Sequence, residues 1–166
     1  MPESIRIIVT GGTLDKEYDH IEGRLGFSQT HLPQMLAEVR CTVPVAIEPL
    51  LLEDSLDLTE ADRESILDQC EAAPETRIII THGTDTMVET AHLLGGRLTG
   101  KTVVLVGAMV PYAFGKTDAL FNLGTAVAAV QLLPVGIYIT MNGRVFPWDN
   151  VRKDRTAGNF VSLRPE

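Results

Sequence analysis

What this 166-residue chain lacks narrows its class before anything it contains. It has two cysteines, Cys41 and Cys70, and neither belongs to a CxxC pair. That is no basis for a disulfide framework or a thiolate metal site, and two free thiols in a reducing compartment are expected. No run of Lys or Arg occurs and the formal net charge is −8. A phosphate-binding track is therefore absent, and nucleic acid is not an expected partner. No apolar run approaches the ~20 residues of a membrane-spanning helix, so no membrane partner is expected. Strand-like sequence begins at Ser4-Ile5, which leaves no room for a secretory leader and points to the cytoplasm.

Several chemical motifs are missing too. Gly11-Gly12 lacks the GxG continuation of a dinucleotide turn, and no P-loop occurs. His20, His31, His82 and His92 form neither HExxH nor an i,i+4 pair, and there is no GxSxG elbow. Neither a metal nor an organic cofactor is expected.

What is present reads as an ordinary globular chain, 45% apolar and 22% charged, of a size for one domain over residues 1–166. Apolar β-branched runs at 4–10, 43–50, 77–81, 102–107 and 135–141 read as strands. Between them, residues 31–40, 59–72, 85–96 and 118–132 read as helices. Thr30, Thr59 and Thr117 are the expected caps, Thr59 with Asp62 in the manner of a capping box. Leu32, Leu36 and Val39 are expected on one face of the first helix, and Val88, Ala91 and Leu93 or Leu94 inward on the third. Residues 15–26 are polar with no clear period and read as a mobile loop, a candidate lid. The tail after 141 has only short apolar pieces. Alternating β and α predicts a three-layer α/β/α sandwich around a mostly parallel, flavodoxin-like sheet of about five strands.

One stretch carries unusual chemistry. Arg77-Ile78-Ile79-Ile80 leads into Thr81-His82-Gly83-Thr84-Asp85-Thr86, and the first strand ends similarly in Thr10-Gly11-Gly12-Thr13. Ligands of open α/β sheets bind outside the carboxyl ends of strands, and both hydroxyl-rich turns fall there. A threonine is a nucleophile only when a neighbour removes its proton. Thr13, Tyr18, Thr84, Asp85 and the late Lys153 form the candidate set. Each also has a plain structural use: Thr84 as the cap of the next helix, Tyr18 as a loop packing residue, Lys153 as a solvated charge.

Thr10-Gly11-Gly12-Thr13 with a loop tyrosine, and Ile80-Thr81-His82-Gly83-Thr84-Asp85-Thr86-Met87, resemble the two signature segments of the bacterial type I and II L-asparaginases. Val106-Gly107-Ala108-Met109 with Pro111, Asp118 and Asn122 resembles that family's third shared stretch. The resemblance implies an L-asparagine amidohydrolase working through a threonine acyl-enzyme without a cofactor. Thr13 would be the nucleophile and Tyr18 its activating partner. Thr84, Asp85 and Lys153 would form a second catalytic group. Gly12, Ser55, Gly83, Asp85 and Ala108 would contact substrate, with Asp85 on the α-ammonium and Ser55 on the α-carboxylate. Leu56 falls where relatives often carry a polar contact. The chain resembles the N-terminal domain alone, as in short-chain members, without the C-terminal domain usual in the family, and a homodimer or homotetramer is implied. A related amide such as L-glutamine as substrate, or a noncatalytic amino-acid-binding module, are the alternative readings.

Overall fold

A computed structural model describes residues 3–165. Its centre is a six-stranded sheet ordered β4-β1-β5-β6-β7-β8. The strands are β1 (Ile5–Gly11), β4 (Val45–Glu53), β5 (Arg77–Thr81), β6 (Thr102–Val106), β7 (Gly136–Met141) and β8 (Arg144–Pro147). All pair in parallel except β8, which runs antiparallel to β7. Four helices accompany them: α1 (Leu32–Glu38), α2 (Glu60–Ala72), α3 (Met87–Arg97) and α4 (Ala119–Leu132). Two small hairpins stand outside the sheet, β2–β3 (Glu17–Asp19 with Arg24–Gly26) and β9–β10 (Arg152–Asp154 with Asn159–Val161).

The strand alternation divides the core in two. Ile8, Ile78, Ile80, Val103, Leu105, Ile137 and Ile139 face α2 and α3 with Ile66, Leu67, Ala91 and Leu94. Ile5, Ile7, Val9, Ile79, Val104 and Val106 face α1 and α4 with Leu32, Met35, Leu123 and Ala126. Successive residues of one strand point to opposite faces. A run such as Arg77-Ile78-Ile79-Ile80 therefore has no polar alternation, because both of its faces are covered. Cys70 is buried in the first half-core, where burial pushes its thiol up to about 12, and Cys41 is also free.

Several boundaries differ from the sequence expectation, each for a physical reason. β4 runs through Pro49 to Glu53. It is an edge strand, and an edge position tolerates a residue without an N–H. The chain after 141 supplies β8 and the β9–β10 hairpin, whose strands of three or four residues are too short for periodicity to register. Residues 15–26 are largely structured: Asp15 is fully buried and accepts the His31 N–H at 2.8 Å, and β2–β3 follows it. In α1 it is Leu32 and Met35 that are buried, while Val39 is exposed. In α3 the buried residues are Met87, Thr90, Ala91 and Leu94. The capping box of α2 is present, with Thr59 Oγ1 accepting from the Asp62 N–H at 3.2 Å and Asp62 Oδ2 accepting from the Thr59 N–H at 2.7 Å.

Candidate active site

The sheet order reverses between β1 and β5: the chain leaves β1 toward the β4 edge and continues past β5 toward β8. Such a switch opens a crevice at the carboxyl ends of the two strands. Both hydroxyl-rich turns lie at this point.

Glycines let the turns touch. Gly12 has φ 78°, and a Cβ there would lie 2.4 Å from the Gly83 nitrogen. A Cβ on Gly83 would lie 2.5 Å from the Ser55 Cβ. Backbone from β1, β5 and the end of β4 is thus in direct contact, and only residues without a side chain permit it. Polar bonds fix the same arrangement. Thr10 Oγ1 donates to the Thr81 carbonyl at 2.7 Å, and the Gly12 N–H donates to the Glu53 carbonyl at 2.9 Å. The Thr86 N–H and hydroxyl donate to Ser55 Oγ at 3.3 Å and to the Ser55 carbonyl at 2.7 Å.

The third stretch, after β6, forms the next wall. Asp118 accepts the N–H groups of Met109 and Val110 at 2.9–3.1 Å. Asn122 Nδ2 donates to the Gly107 carbonyl at 3.0 Å, and Ala108 is fully buried. The start of α4 therefore holds the loop that carries Ala108 and places Met109 Sδ 3.7 Å from Thr84 Oγ1.

Lys153 comes from the far end of the chain. It sits on β9 opposite Phe160, which is buried in the core. Its side chain is 11% exposed, and its ammonium donates to Thr84 Oγ1 at 2.8 Å and to Asp85 Oδ1 at 2.9 Å. The lysine is therefore not a solvated charge. Nor does Thr84 cap the following helix: α3 starts at Met87, and the Thr84 hydroxyl faces Lys153. The hydrogen bond to Lys153 foremost, with the nearby charges of Lys153 and Arg155, holds the Asp85 carboxyl below its usual range.

The two other expected members are less tightly placed. Thr13 opens a 3-10 turn over Thr13–Asp15, directly after the glycine that abuts Gly83. Tyr18 lies on β2 and is 58% exposed, and among the described residues no hydrogen bond joins its hydroxyl to Thr13. Thr84, Asp85 and Lys153 are thus assembled into one bonded group, preceded by Gly83, which packs against Gly12 and Ser55, while Ala108 lies on the loop whose Met109 reaches Thr84. Thr13 borders the group, while Tyr18 stays on the outer hairpin.

Three features escaped the sequence reading. Lys16 pairs with Asp54, and this hydrogen bond is the main cause holding the Asp54 carboxyl low. His82 is wholly buried: its Nδ1 is 2.7 Å from the Gly83 carbonyl and its Nε2 is 2.7 Å from Thr90 Oγ1. A carbonyl only accepts, so Nδ1 carries the proton and Nε2 accepts from Thr90. Burial lowers this histidine to about 4 and keeps it neutral. The third is Arg155, which donates to Asp85 Oδ1 at 2.7 Å and to the Asp85 carbonyl at 3.0 Å. Apart from Gly83, the residue next to His82, these partners lie 8 to 70 residues away in sequence, and no local pattern announces them.

A switch point flanked by three glycine-bearing turns, with a largely buried lysine joining a threonine to an aspartate, defines a doubly wound α/β domain with one candidate site at the carboxyl ends of its strands. Comparison places it further: residues 4–160 match the family described as Asparaginase, N-terminal, and the chain belongs to that family. It is 32% identical over 168 aligned residues to L-asparaginase 2 of Escherichia coli K12, covering 93% of this chain and 47% of that protein. It is 38% identical over 93 residues to the glutaminase-asparaginase of Pseudomonas aeruginosa, covering 54% of this chain and 24% of that protein. The crystal structure of L-asparaginase I from Vibrio cholerae superposes with a TM-score of 0.87 at 25% identity, over 100% of this chain and 53% of that one. The chain spans about half the length of the full-length relatives it matches.

Proposed function

We propose that this chain hydrolyses L-asparagine to L-aspartate and ammonia through a threonine acyl-enzyme. The observation that carries the reading is the position of the Lys153 ammonium, its side chain 11% exposed and bonded to both Thr84 Oγ1 and Asp85 Oδ1, at the switch point where the glycine before Thr13 abuts Gly83. A largely desolvated cation on a hydroxyl and a carboxylate has no need to exist for packing alone, because desolvating it is costly.

In this reading Thr13 Oγ1 attacks the side-chain amide carbon and loses its proton. The oxyanion is met by backbone N–H groups of the Gly12–Thr13 and Gly83–Thr84 turns. The C–N bond then breaks, the amide nitrogen leaves as ammonia with that proton, and an aspartyl ester remains on Thr13. Water attacks the ester, with Thr84 and Lys153 handling its proton, and releases L-aspartate. Lys153 donates to Thr84 in the resting arrangement, so a base role requires that hydrogen bond to reverse. Asp85 receives the α-ammonium and Ser55 the α-carboxylate. Tyr18 reaches Thr13 by closure of the β2–β3 hairpin.

The test is ammonia release from L-asparagine by the purified chain. Thr13→Ala and Thr84→Ala are each expected to lower the rate by about 100-fold or more with the fold intact. Full activity in either variant removes that residue from the scheme. L-glutamine is the second substrate to try, since the Pseudomonas relative is named for both activities. A homodimer or homotetramer is the assembly proposed, and a monomer by sedimentation velocity would refute it.

A further inference from the structure

The Asp85 carboxylate serves two cations before any ligand arrives. Lys153 Nζ and Arg155 Nη1 both donate to Oδ1, at 2.9 and 2.7 Å, while Arg155 Nη2 holds the Asp85 carbonyl at 3.0 Å. The two basic residues lie two apart at one end of the β9–β10 hairpin, and their side chains converge on one acid. Arg155 is not a loosely hung surface charge. The turn that bears it is tied down by Asp154, whose Oδ1 accepts the N–H groups of Thr156 and Ala157 at 3.0 and 3.1 Å, and whose carbonyl accepts the Gly158 N–H at 2.8 Å. Its guanidinium is clasped at two points, yet the side chain remains 62% exposed. A guanidinium has five N–H donors in a planar fork, so donors remain on its open side.

Lys153, Arg155 and Asp85 alone sum to +1; the Lys16–Asp54 pair nearby is neutral in sum, and the Asp154 carboxylate between the two cations is turned to the N–H groups of its own turn and is not hydrogen-bonded to either. A third cation brought to Asp85 meets two like charges and a carboxylate already compensated. An anion brought to the same place meets a guanidinium with free donors. This is a device that weighs against one ligand class while favouring another.

We propose that Arg155 is a specificity-determining residue that competes with a ligand's α-ammonium for Asp85, so that the site accepts dicarboxylic monoamides lacking the amino group about as well as L-asparagine. The ligand class is the ω-amide of a short dicarboxylate, succinamate being the simplest, and its diacid product. The inference rests on the reading above in one respect, that Asp85 faces the α-ammonium.

The experiment compares L-aspartate with succinate, which differ only by the ammonium, by titration calorimetry on the whole chain at low ionic strength. Wild type is expected to bind the two within about threefold of each other. In Arg155→Ala the affinity ratio should move toward L-aspartate by about fivefold, the scale of a partly screened ion pair. Arg155→Lys, which keeps the charge, should stay near the wild-type ratio. A general loss of packing lowers both affinities together, so the ratio isolates the charge effect. A wild type that prefers L-aspartate more than tenfold, a ratio unmoved in Arg155→Ala, or no binding of either ligand overturns the proposal. Ammonia release from L-asparagine and succinamate is read in parallel. No release from either, with the ratio shifting as stated, refutes the hydrolase reading and leaves the role of Arg155 standing.

Discussion

At the scale of single residues, the geometry turns on groups that cannot be exchanged for near relatives. Gly12 combines φ 78° with a Cβ position 2.4 Å from main-chain nitrogen, and backbone cannot yield as a flexible side chain would. Gly12→Ala is expected to cost about 2 kcal/mol or more in urea unfolding, and to impair whatever chemistry the turn supports. Lys153→Met keeps the length and removes the charge. It leaves the Thr84 hydroxyl without its strongest partner, and ammonia release is predicted to fall by about 100-fold or more. His82 gives a pH signature. Its folded-state value of about 4 lies below the ordinary 6.5, so the unfolded chain binds the extra proton between those values. Its contribution is complete above pH 6.5 and is lost as pH falls toward 4, by about 3 kcal/mol. Stability measured across that window should fall steeply in wild type and less so in His82→Gln.

At the scale of elements, one helix start was fully legible. Thr59 and Asp62 announced α2 through a reciprocal pattern that needs nothing beyond three intervening bonds of chain, and both hydrogen bonds are present. Thr59→Ala should lower stability by about 1 kcal/mol, measured by urea titration. Thr30 and Thr117 each fall one residue short of the cap they were expected to form: the caps are His31 and Asp118, and the Thr117 hydroxyl accepts from the Ala119 N–H at 3.0 Å from one position earlier. The misjudged elements have a common cause. The β2–β3 and β9–β10 hairpins have three-residue strands, too few for alternation to show. Thr84 read equally well as a helix cap because a threonine after a strand has the same local surroundings in either role. Its partner, 69 residues away, was needed to decide.

At the scale of the whole molecule, stability is distributed from the centre outward. β5 and β6 are paired on both sides and covered on both faces, whereas β2–β3 pairs only with itself and carries exposed Ile21 between its strands. Hydrogen exchange should be slowest in β5 and β6 and fastest in 17–26, since local opening exposes little apolar surface there. Protection of 17–26 on adding L-aspartate would support closure of Tyr18 over the site. Exchange that is already slow and unaffected by ligand would end the lid idea.

By itself the sequence determined the layers, because β-branched apolar runs flanked by capped helices have one economical packing, a parallel sheet covered on both faces. It also determined the chemical identity of the two turns, since Thr10–Thr13 and Thr81–Thr86 are contiguous and their spacing lies within the reach of local reasoning. The tertiary structure alone decided which charges meet. Lys153 and Arg155 reach Asp85 because a hairpin at the far end of the chain anchors Phe160 in the core beyond the sheet's carboxyl edge. Electrostatic and hydrogen-bond partners are set by distance in space, which falls off over a few ångströms, and no periodicity along the chain encodes that distance.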